Sequence, residues 1–562
     1  MARSGTPTQN PAALLQEALA LHQRGRLDEA ERIYNRVLKL DRRQFDALHL
    51  LGVLNQQRGK AGEAYRLLTA ALAIQPKSPD ALAHMGMVLH SLKRSDEALQ
   101  SFERALTIAP DHPDALLDRG TVRLALGQAG EALSDFDRVL ARQPGHLVAR
   151  INRGNVLGQL DRHQEALAEF DAALAIHANH PAALYNRGTA LHALGRAPEA
   201  IIAFDRALAL VPRHVGAWYN RGLALQSLNR HREAIESFRK VREIAPDHGD
   251  AGYAEAASLL TLGDYRAGFE AYEWRWKRGG MPARSRMRQP LWRGDRPLAG
   301  RTILLQAEQG LGDTIQFARY VPELARSGAK VVLDVQPELT DLLSGLDGAS
   351  AVVARGGALP PYDFHCPLAS LPMVLRTERE TVPAPIPYLR ANEMARDAWR
   401  PRLESLAGLR VALAWSGRAS HANDRNRSLT FDQIKTLLSV PGVSFVSVQR
   451  DLRAGDAERL ASESRILHLG DDLTDFVQTA AVLSLVDLVI SVDTAVAHLA
   501  GALGRPLWVL LPFQPDWRWT LDGDCTPWYP EAQLLRQPSP GGWGAILSYA
   551  SEMLASRAQP VT

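Results

Sequence analysis

Only two cysteines, Cys366 and Cys525, occur among 562 residues, which excludes a disulfide framework and suits a reducing compartment. No apolar run approaches the roughly 18 residues of a membrane span, and residues 1–10 lack the apolar core of a secretion signal. Strong charge of either sign is missing as well. Lys+Arg of 65 against Asp+Glu of 62 leaves +3, so no basic field invites nucleic acid. These absences point to a cytoplasmic chain with neither a membrane span nor a nucleic-acid partner. The length implies several domains.

What is present is a repeat. At a spacing of 34 residues the chain sets a small residue in one slot: Ala18, Gly52, Gly86, Gly120, Gly154, Gly188 and Gly222. A second small series, Ala30, Ala64, Ala98, Ala132, Ala166, Ala200 and Ala234, runs twelve residues downstream, and a bulky series follows four later at Tyr34, Leu68, Phe102, Phe136, Phe170, Phe204 and Phe238. Proline closes most units, at Pro76, Pro110, Pro144, Pro212 and Pro246. This is the tetratricopeptide signature: two antiparallel helices per unit, stable only when stacked. The small residues let the helices approach, and the bulky one is expected to fill the hole between neighbouring units. The sixth slot of each unit reads Gln16, Leu50, His84, Asp118, Asn152, Asn186 and Asn220, on the helix expected to line a concave face. Arg119, Arg153, Arg187 and Arg221 occupy the next slot and are expected to favour acidic partners.

The resulting division is a flexible N-terminus (1–10), seven repeats plus a degenerate capping repeat (11–282), and a linker (283–300) inside a basic, Gly/Pro-rich stretch. Beyond it, short apolar runs alternate with helical stretches, so two Rossmann-like domains with parallel sheets are predicted, at 301–391 and 392–562, the latter ending in a helix. Ligands of such sheets lie at the carboxyl ends of the strands.

Three segments carry candidate chemistry. Gly310-Leu311-Gly312-Asp313 follows a predicted strand and opens a helix, the glycines permitting a tight turn. Asp313 there is an N-cap, or an N-cap that is also a general base; the residue types leave both open. The third glycine of a dinucleotide fingerprint is absent, Ile315 standing in its place. In the second segment a strand ends at Asp493 and a helix opens over Thr494 and Ala495, an arrangement whose backbone N–H groups hold phosphate. His498 shares that helix face with Thr494, or is a core histidine. The third segment begins Ser416-Gly417 at a strand end, with backbone donors, and continues through His421 to Arg425 and Arg427, either clamping a diphosphate or solvated.

From about residue 301 to 554 the chain resembles the glycosyltransferase family 9 heptosyltransferases, through Gly310 to Asp313 and through the Ser491-Val492-Asp493-Thr494 … His498-Leu499-Ala500 … Gly504 … Pro506 pattern. A segment like Pro512-Phe513-Gln514-Pro515-Asp516-Trp517-Arg518-Trp519 is shared with bacterial repeat-containing proteins of this kind. The resemblance implies a GT-B fold, an α-solenoid followed by an α/β module, with the active site between two Rossmann-like domains. It places the base on Asp313, diphosphate contacts on Asp493, Thr494, Ala495 and the region of Arg427, and a nucleoside contact on Gln449. Transfer from a nucleotide diphosphate sugar would be inverting, with no metal and no cofactor. Asn152, Asn186 and Asn220 resemble the asparagine ladder of protein O-linked N-acetylglucosamine transferases, which implies a protein acceptor gripped by its backbone. An envelope-polysaccharide transferase and a non-catalytic scaffold are the alternatives.

Overall fold

The computed structural model describes residues 10–279, 287–383, 385–420 and 423–559. Except for Asn10, the N-terminal stretch expected to be flexible lies outside the described residues, as does the repeat–linker junction at 282–286. Sixteen α-helices run from Pro11–Gln23 to Tyr265–Tyr272, in pairs with the expected register. The chain divides into two compact units, Met1–Ala217 and Trp218–Thr562, and the division falls inside the helix Val215–Ser227.

Within the first unit the 34-residue pattern has a direct steric cause. A β-carbon at Gly86, Gly120, Gly154 or Gly188 would stand 2.5, 2.8, 2.6 or 2.6 Å from Cε1 of Phe102, Phe136, Phe170 or Phe204. Each ring therefore fills the gap between the two helices of its own repeat, not a hole between neighbouring units as the sequence suggests. Helix starts are set locally: Nδ1 of His112, His146 and His180 accepts the backbone N–H of Ala115, Ala149 and Ala183, and Pro113 and Pro181 begin their helices.

In the second unit the helices continue to Tyr272 and a 3₁₀ turn, Glu273–Lys277. Two parallel sheets follow. The first has β1 (Thr302–Gln306), β2 (Lys330–Val335), β3 (Ala349–Ala354) and β4 (Phe364–Pro367) in the order β3-β2-β1-β4. The second contains β5 (Leu409–Ala414), β6 (Val443–Ser447), β7 (Ile466–His468), β8 (Leu488–Val492), β9 (Leu507–Leu511) and β10 (Ala532–Arg536), in the order β10-β9-β8-β5-β6-β7. Read from β7, this is the doubly wound 3-2-1-4-5-6 order, and the first sheet is its 3-2-1-4 part. Strand order reverses between β1 and β4 and between β5 and β8. Doubly wound sheets bind ligands at such switch points, and the segments after β1, β5 and β8 are the three candidate segments of the sequence.

The helix that opens at this segment is broken into Leu311–Phe317, a 3₁₀ turn Ala318–Tyr320 and a short helix Val321–Arg326. Pro322, in the first turn of the last piece, cannot donate to a continuous helix. β10 escapes the sequence reading because its Ala-Gln-Leu-Leu-Arg text has little strand character.

The last helices of the repeat region belong to the second compact unit. Tyr265, Phe269 and Tyr272 of the last repeat share one buried core with Phe317, Trp517 and Trp528 of the α/β part. Trp528 Nε1 donates to Tyr265 Oη at 3.0 Å, and Trp517 meets Phe269 edge-on at 5.6 Å.

Gly154→Val would drive a side chain into Phe170, and such overpacking costs about 1–3 kcal/mol. Hydrogen exchange should quicken in the Leu147–Gln159 and His163–Ile176 helices and their immediate neighbours, and stay unchanged in distant repeats.

Candidate functional site

The segment after β1 is held from several sides. Gln309 O accepts from Gln336 Nε2 at 2.7 Å, Thr314 Oγ1 donates to Gln336 Oε1 at 2.9 Å, and Tyr272 Oη donates to Gln309 Oε1 at 2.9 Å. Arg275, buried, donates to Glu308 Oε1 at 2.9 Å and to Ser370 Oγ at 2.7 Å. Gly310 then caps the Leu311–Phe317 helix, and its N–H donates to Asp313 Oδ2 at 2.8 Å. Asp313 is thus the third residue of the helix, reaching back to the cap.

Its other oxygen, Oδ1, accepts from Arg518 Nη2. That arginine also donates to Asp516 Oδ1 at 2.8 Å and to Gln316 Oε1 at 2.6 Å, and it lies over the Trp517 ring at 4.3 Å. Burial disfavours its charge, yet Asp516, Asp313 and Tyr272 hold its pKa well above the ordinary arginine value. Sequence reasoning assigned Arg518 no role. An arginine flanked by two tryptophans in a chain with 11 tryptophans was the available signal.

Facing this segment is the helix Ala495–Ala502, which starts after β8. A β-carbon at Gly312 would stand 2.7 Å from Cδ2 of His498 and 3.5 Å from Cα of Ala495. The two helices cross closely at Gly312, one residue before Asp313. Thr494 is its N-cap, but the Thr494 hydroxyl pairs with Ser491 Oγ at 3.1 Å and makes no capping bond. Beside it, burial pushes the Asp493 carboxyl up to about 6 and the negative Asp516 adds to the rise, against the pull of Trp519, Arg427 and Arg518.

His498 is buried, with Nδ1 3.0 Å from Tyr529 Oη and its ring stacked on Trp519 at 5.3 Å. Burial, reinforced by Arg518, Arg319 and Arg427, holds it well below the usual histidine range, so the ring is neutral. Its Nδ1 and one ring face are thus engaged within the core.

The third segment is also built differently from the expectation. Gln449 Oε1 accepts the N–H of Trp415 at 3.1 Å and of Ser416 at 3.0 Å, while Nε2 donates to the carbonyls of Ser416 and Asp451. Its amide is spent on tying the ends of β5 and β6 together, which corrects its assignment as a nucleoside contact. Ser416 N–H is consumed there, and Gly417 N–H donates to Ser428 Oγ at 3.0 Å, so neither is an open backbone donor. Arg427 Nη1 donates to Asp493 O at 2.8 Å, and its guanidinium covers Gly417, where a β-carbon would meet Nη2 at 2.5 Å. Arg425 is exposed, and His421 lies outside the described residues. One group is left over: Ser416 Oγ is buried at the end of β5 without a hydrogen-bond partner among the described residues.

In the repeats, Asn152 Nδ2 donates to Thr121 Oγ1 at 3.2 Å and Asn186 Nδ2 to Asn155 Oδ1 at 2.7 Å. Asn220, in the second unit, is half-buried. The expectation that the neighbouring arginines attract acidic partners is corrected by their ion pairs: Arg119 with Asp135, Arg153 with Asp137 and Glu169, Arg187 with Asp171. Among the described residues no group of three His, Cys, Asp or Glu is placed to hold a metal, and no helix is long and apolar enough to cross a membrane.

Fold and site together define a helical repeat protein carrying a doubly wound module whose candidate groups gather at the switch points. Comparison with known families agrees. Residues 117–181, 152–213, 185–249, 56–116 and 11–36 match tetratricopeptide repeat models, and residues 431–511 match glycosyltransferase family 9 (heptosyltransferase). The chain thus carries tetratricopeptide repeats across its N-terminal part and, further on, a segment that matches glycosyltransferase family 9. That second match includes Asp493 to His498 but not Asp313 or Arg427. Protein FlbA of Caulobacter vibrioides is 28% identical over 280 residues, covering 45% of this chain and 46% of its own length. The chain therefore spans about half of that relative. Among solved structures, a chain of the Cut9–Hcn1 hetero-tetramer of APC/C is 18% identical over 47% of this chain and 52% of its own, with a TM-score of 0.38. A repeat protein from Parabacteroides merdae is also 18% identical, over 44% and 98%, with a TM-score of 0.36. Both likenesses concern fold alone.

A carboxyl group whose pKa rises on folding contributes stability that is present at acid pH and lost as pH climbs past the folded value. Asp493→Asn, permanently neutral and of the same shape, should unfold at a higher temperature than the wild type at pH 8. The gap should close as pH falls through about 6 toward 4 in paired thermal melts.

Proposed function

We propose that this chain is a cytoplasmic glycosyltransferase that moves a sugar from a nucleotide diphosphate sugar to a protein recruited by the repeats. The observation that carries the reading is the crossing at Gly312, where the helix that bears the Asp313 carboxylate packs on the start of the Ala495–Ala502 helix. One is the type of group that takes a proton from an acceptor hydroxyl. The other is the type of helix end that holds phosphate. In the reaction the acceptor oxygen bonds to the anomeric carbon, the bond from that carbon to the diphosphate breaks, and its electron pair leaves with the diphosphate. The hydroxyl proton passes to Asp313. Displacement from the opposite face inverts the anomeric centre. The chain's own donors, at the first turn after Thr494 with Ser416 Oγ close to the same switch point, meet the growing charge on the diphosphate, with no metal or cofactor required.

For the acceptor, the geometry refines the ladder. Asn152 and Asn186 have each committed one N–H to the preceding repeat, so the group each offers is chiefly its Oδ1, suited to a peptide N–H. A second reading, a non-catalytic scaffold, is favoured by one feature: both oxygens of Asp313 already accept hydrogen bonds.

Asp313→Asn separates the two. Transfer should fall about 10²–10⁴-fold, while the thermal shift given by the stabilising nucleotide sugar, chosen from a panel of UDP-, GDP-, ADP- and dTDP-sugars, is retained. Equal product from both chains would remove Asp313 as base. Replacing Asn152, Asn186 and Asn220 together by Ala should abolish capture of the modified partner without altering the thermal shift given by the donor. Intact-mass analysis of co-purified material then distinguishes a protein acceptor from an envelope glycan.

A further inference from the structure

We infer that Arg518 is a positioning residue for this reaction: it fixes the Asp313 carboxylate in the orientation from which the acceptor proton is taken. The inference rests on the transferase reading above and adds to it a residue outside the family 9 match.

The guanidinium has three acceptors, drawn from two parts of the fold. Gln316 Oε1 lies one turn beyond Asp313 on the Leu311–Phe317 helix, Asp516 Oδ1 belongs to the turn that carries the arginine, and the third acceptor is Asp313 Oδ1 itself. Only 7% of Arg518 is exposed, so it has almost no freedom to leave. An arginine does not give up its proton in a protein, so Arg518 relays nothing. What it can do is hold direction. With Gly310 N–H on Oδ2 and Arg518 on Oδ1, the plane of the Asp313 carboxylate is determined, and one lone pair on each oxygen remains for an incoming hydroxyl.

The support for Arg518 is itself built for rigidity. Asp516 caps the turn Trp517–Trp519, accepting the backbone N–H of Arg518 at 3.0 Å, and Thr526 Oγ1 donates to Arg518 O at 2.6 Å. The Trp517 ring beneath the guanidinium is wedged against Phe269 and Tyr272 of the last repeat, at 5.6 and 6.3 Å. A chain of contacts therefore runs from that repeat through Trp517 and Arg518 to Asp313, entirely within the second compact unit. Lysine cannot replace this fork, since one ammonium cannot meet three fixed acceptors in the same plane.

The test is a kinetic double-mutant cycle in the full-length chain, following nucleotide release from the panel member that stabilises the protein, in the presence of the co-purified partner. Misplacing a reacting group by about 1 Å costs on the order of 10²-fold. Arg518→Lys should lower kcat by about that factor, with donor KM changed less than about threefold. In an Asp313→Asn background the same replacement should have little further effect, because it acts through Asp313. Should Arg518→Lys not fold, Asp516→Asn loosens the same arginine and is expected to lower kcat with the same dependence on Asp313. Full activity in these variants, a parallel rise in KM, or equal losses with and without Asp313 would overturn the inference while leaving the transferase reading intact. No release from the wild type with any donor, or normal release from Asp313→Asn, would instead overturn that reading.

Discussion

The close crossing of two short helices at Gly312 is the constraint on which the site depends. With hydrogen in place of a side chain, the Leu311–Phe317 helix settles onto His498 and the Ala495–Ala502 helix, closing the space between the two sheets. Asp313 follows that contact directly in the chain. The same region holds the neutral, stacked His498, the three-way fork of Arg518, and the Asp493 carboxyl, raised by burial and further by Asp516. A larger residue at Gly312 would push the helices apart and undo these together.

The electrostatics of this junction are tense by construction. Asp313, Asp493 and Asp516 gather around Arg518 and Arg427 in a largely buried setting, where each charge is costly unless paired. A raised Asp493 is one relief and the divided attention of Arg518 another. Neither helps a domain whose only task is to stay folded, for which packed hydrophobic residues serve as well.

The aromatic shelf of the last repeat changes how the molecule divides. Tyr265, Phe269 and Tyr272 are built into the same core as Trp517 and Trp528, and Tyr272 and Arg275 hold the side chains of Gln309 and Glu308, shortly before Asp313. From Trp218 onward, repeat and α/β sheets form one compact body. Tetratricopeptide repeats contribute to stability mainly through nearest neighbours, and here the neighbour of the terminal repeat is the module that bears the site.

Periodicity was legible along the chain because it is local. A small residue every 34 positions, with a bulky one sixteen further on, dictates helix pairs wherever it occurs, and alternating apolar runs mark buried parallel strands whatever their neighbours. The glycines, Asp313, and the Asp493–Thr494 strand end could be found in the same way, since strand–turn–helix text carries its own signal. Side-chain partnership could not. Gln449 and Arg427 have the chemistry of ligand contacts, yet both were taken by backbone groups of the same sheet, and the repeat arginines by acids sixteen positions or more away. Arg518 stands 205 residues from Asp313, too far for any pattern in the text to join them. Polar groups satisfy whichever partner lies nearest in space, and nearness across such separations is decided only when the sheets close on each other.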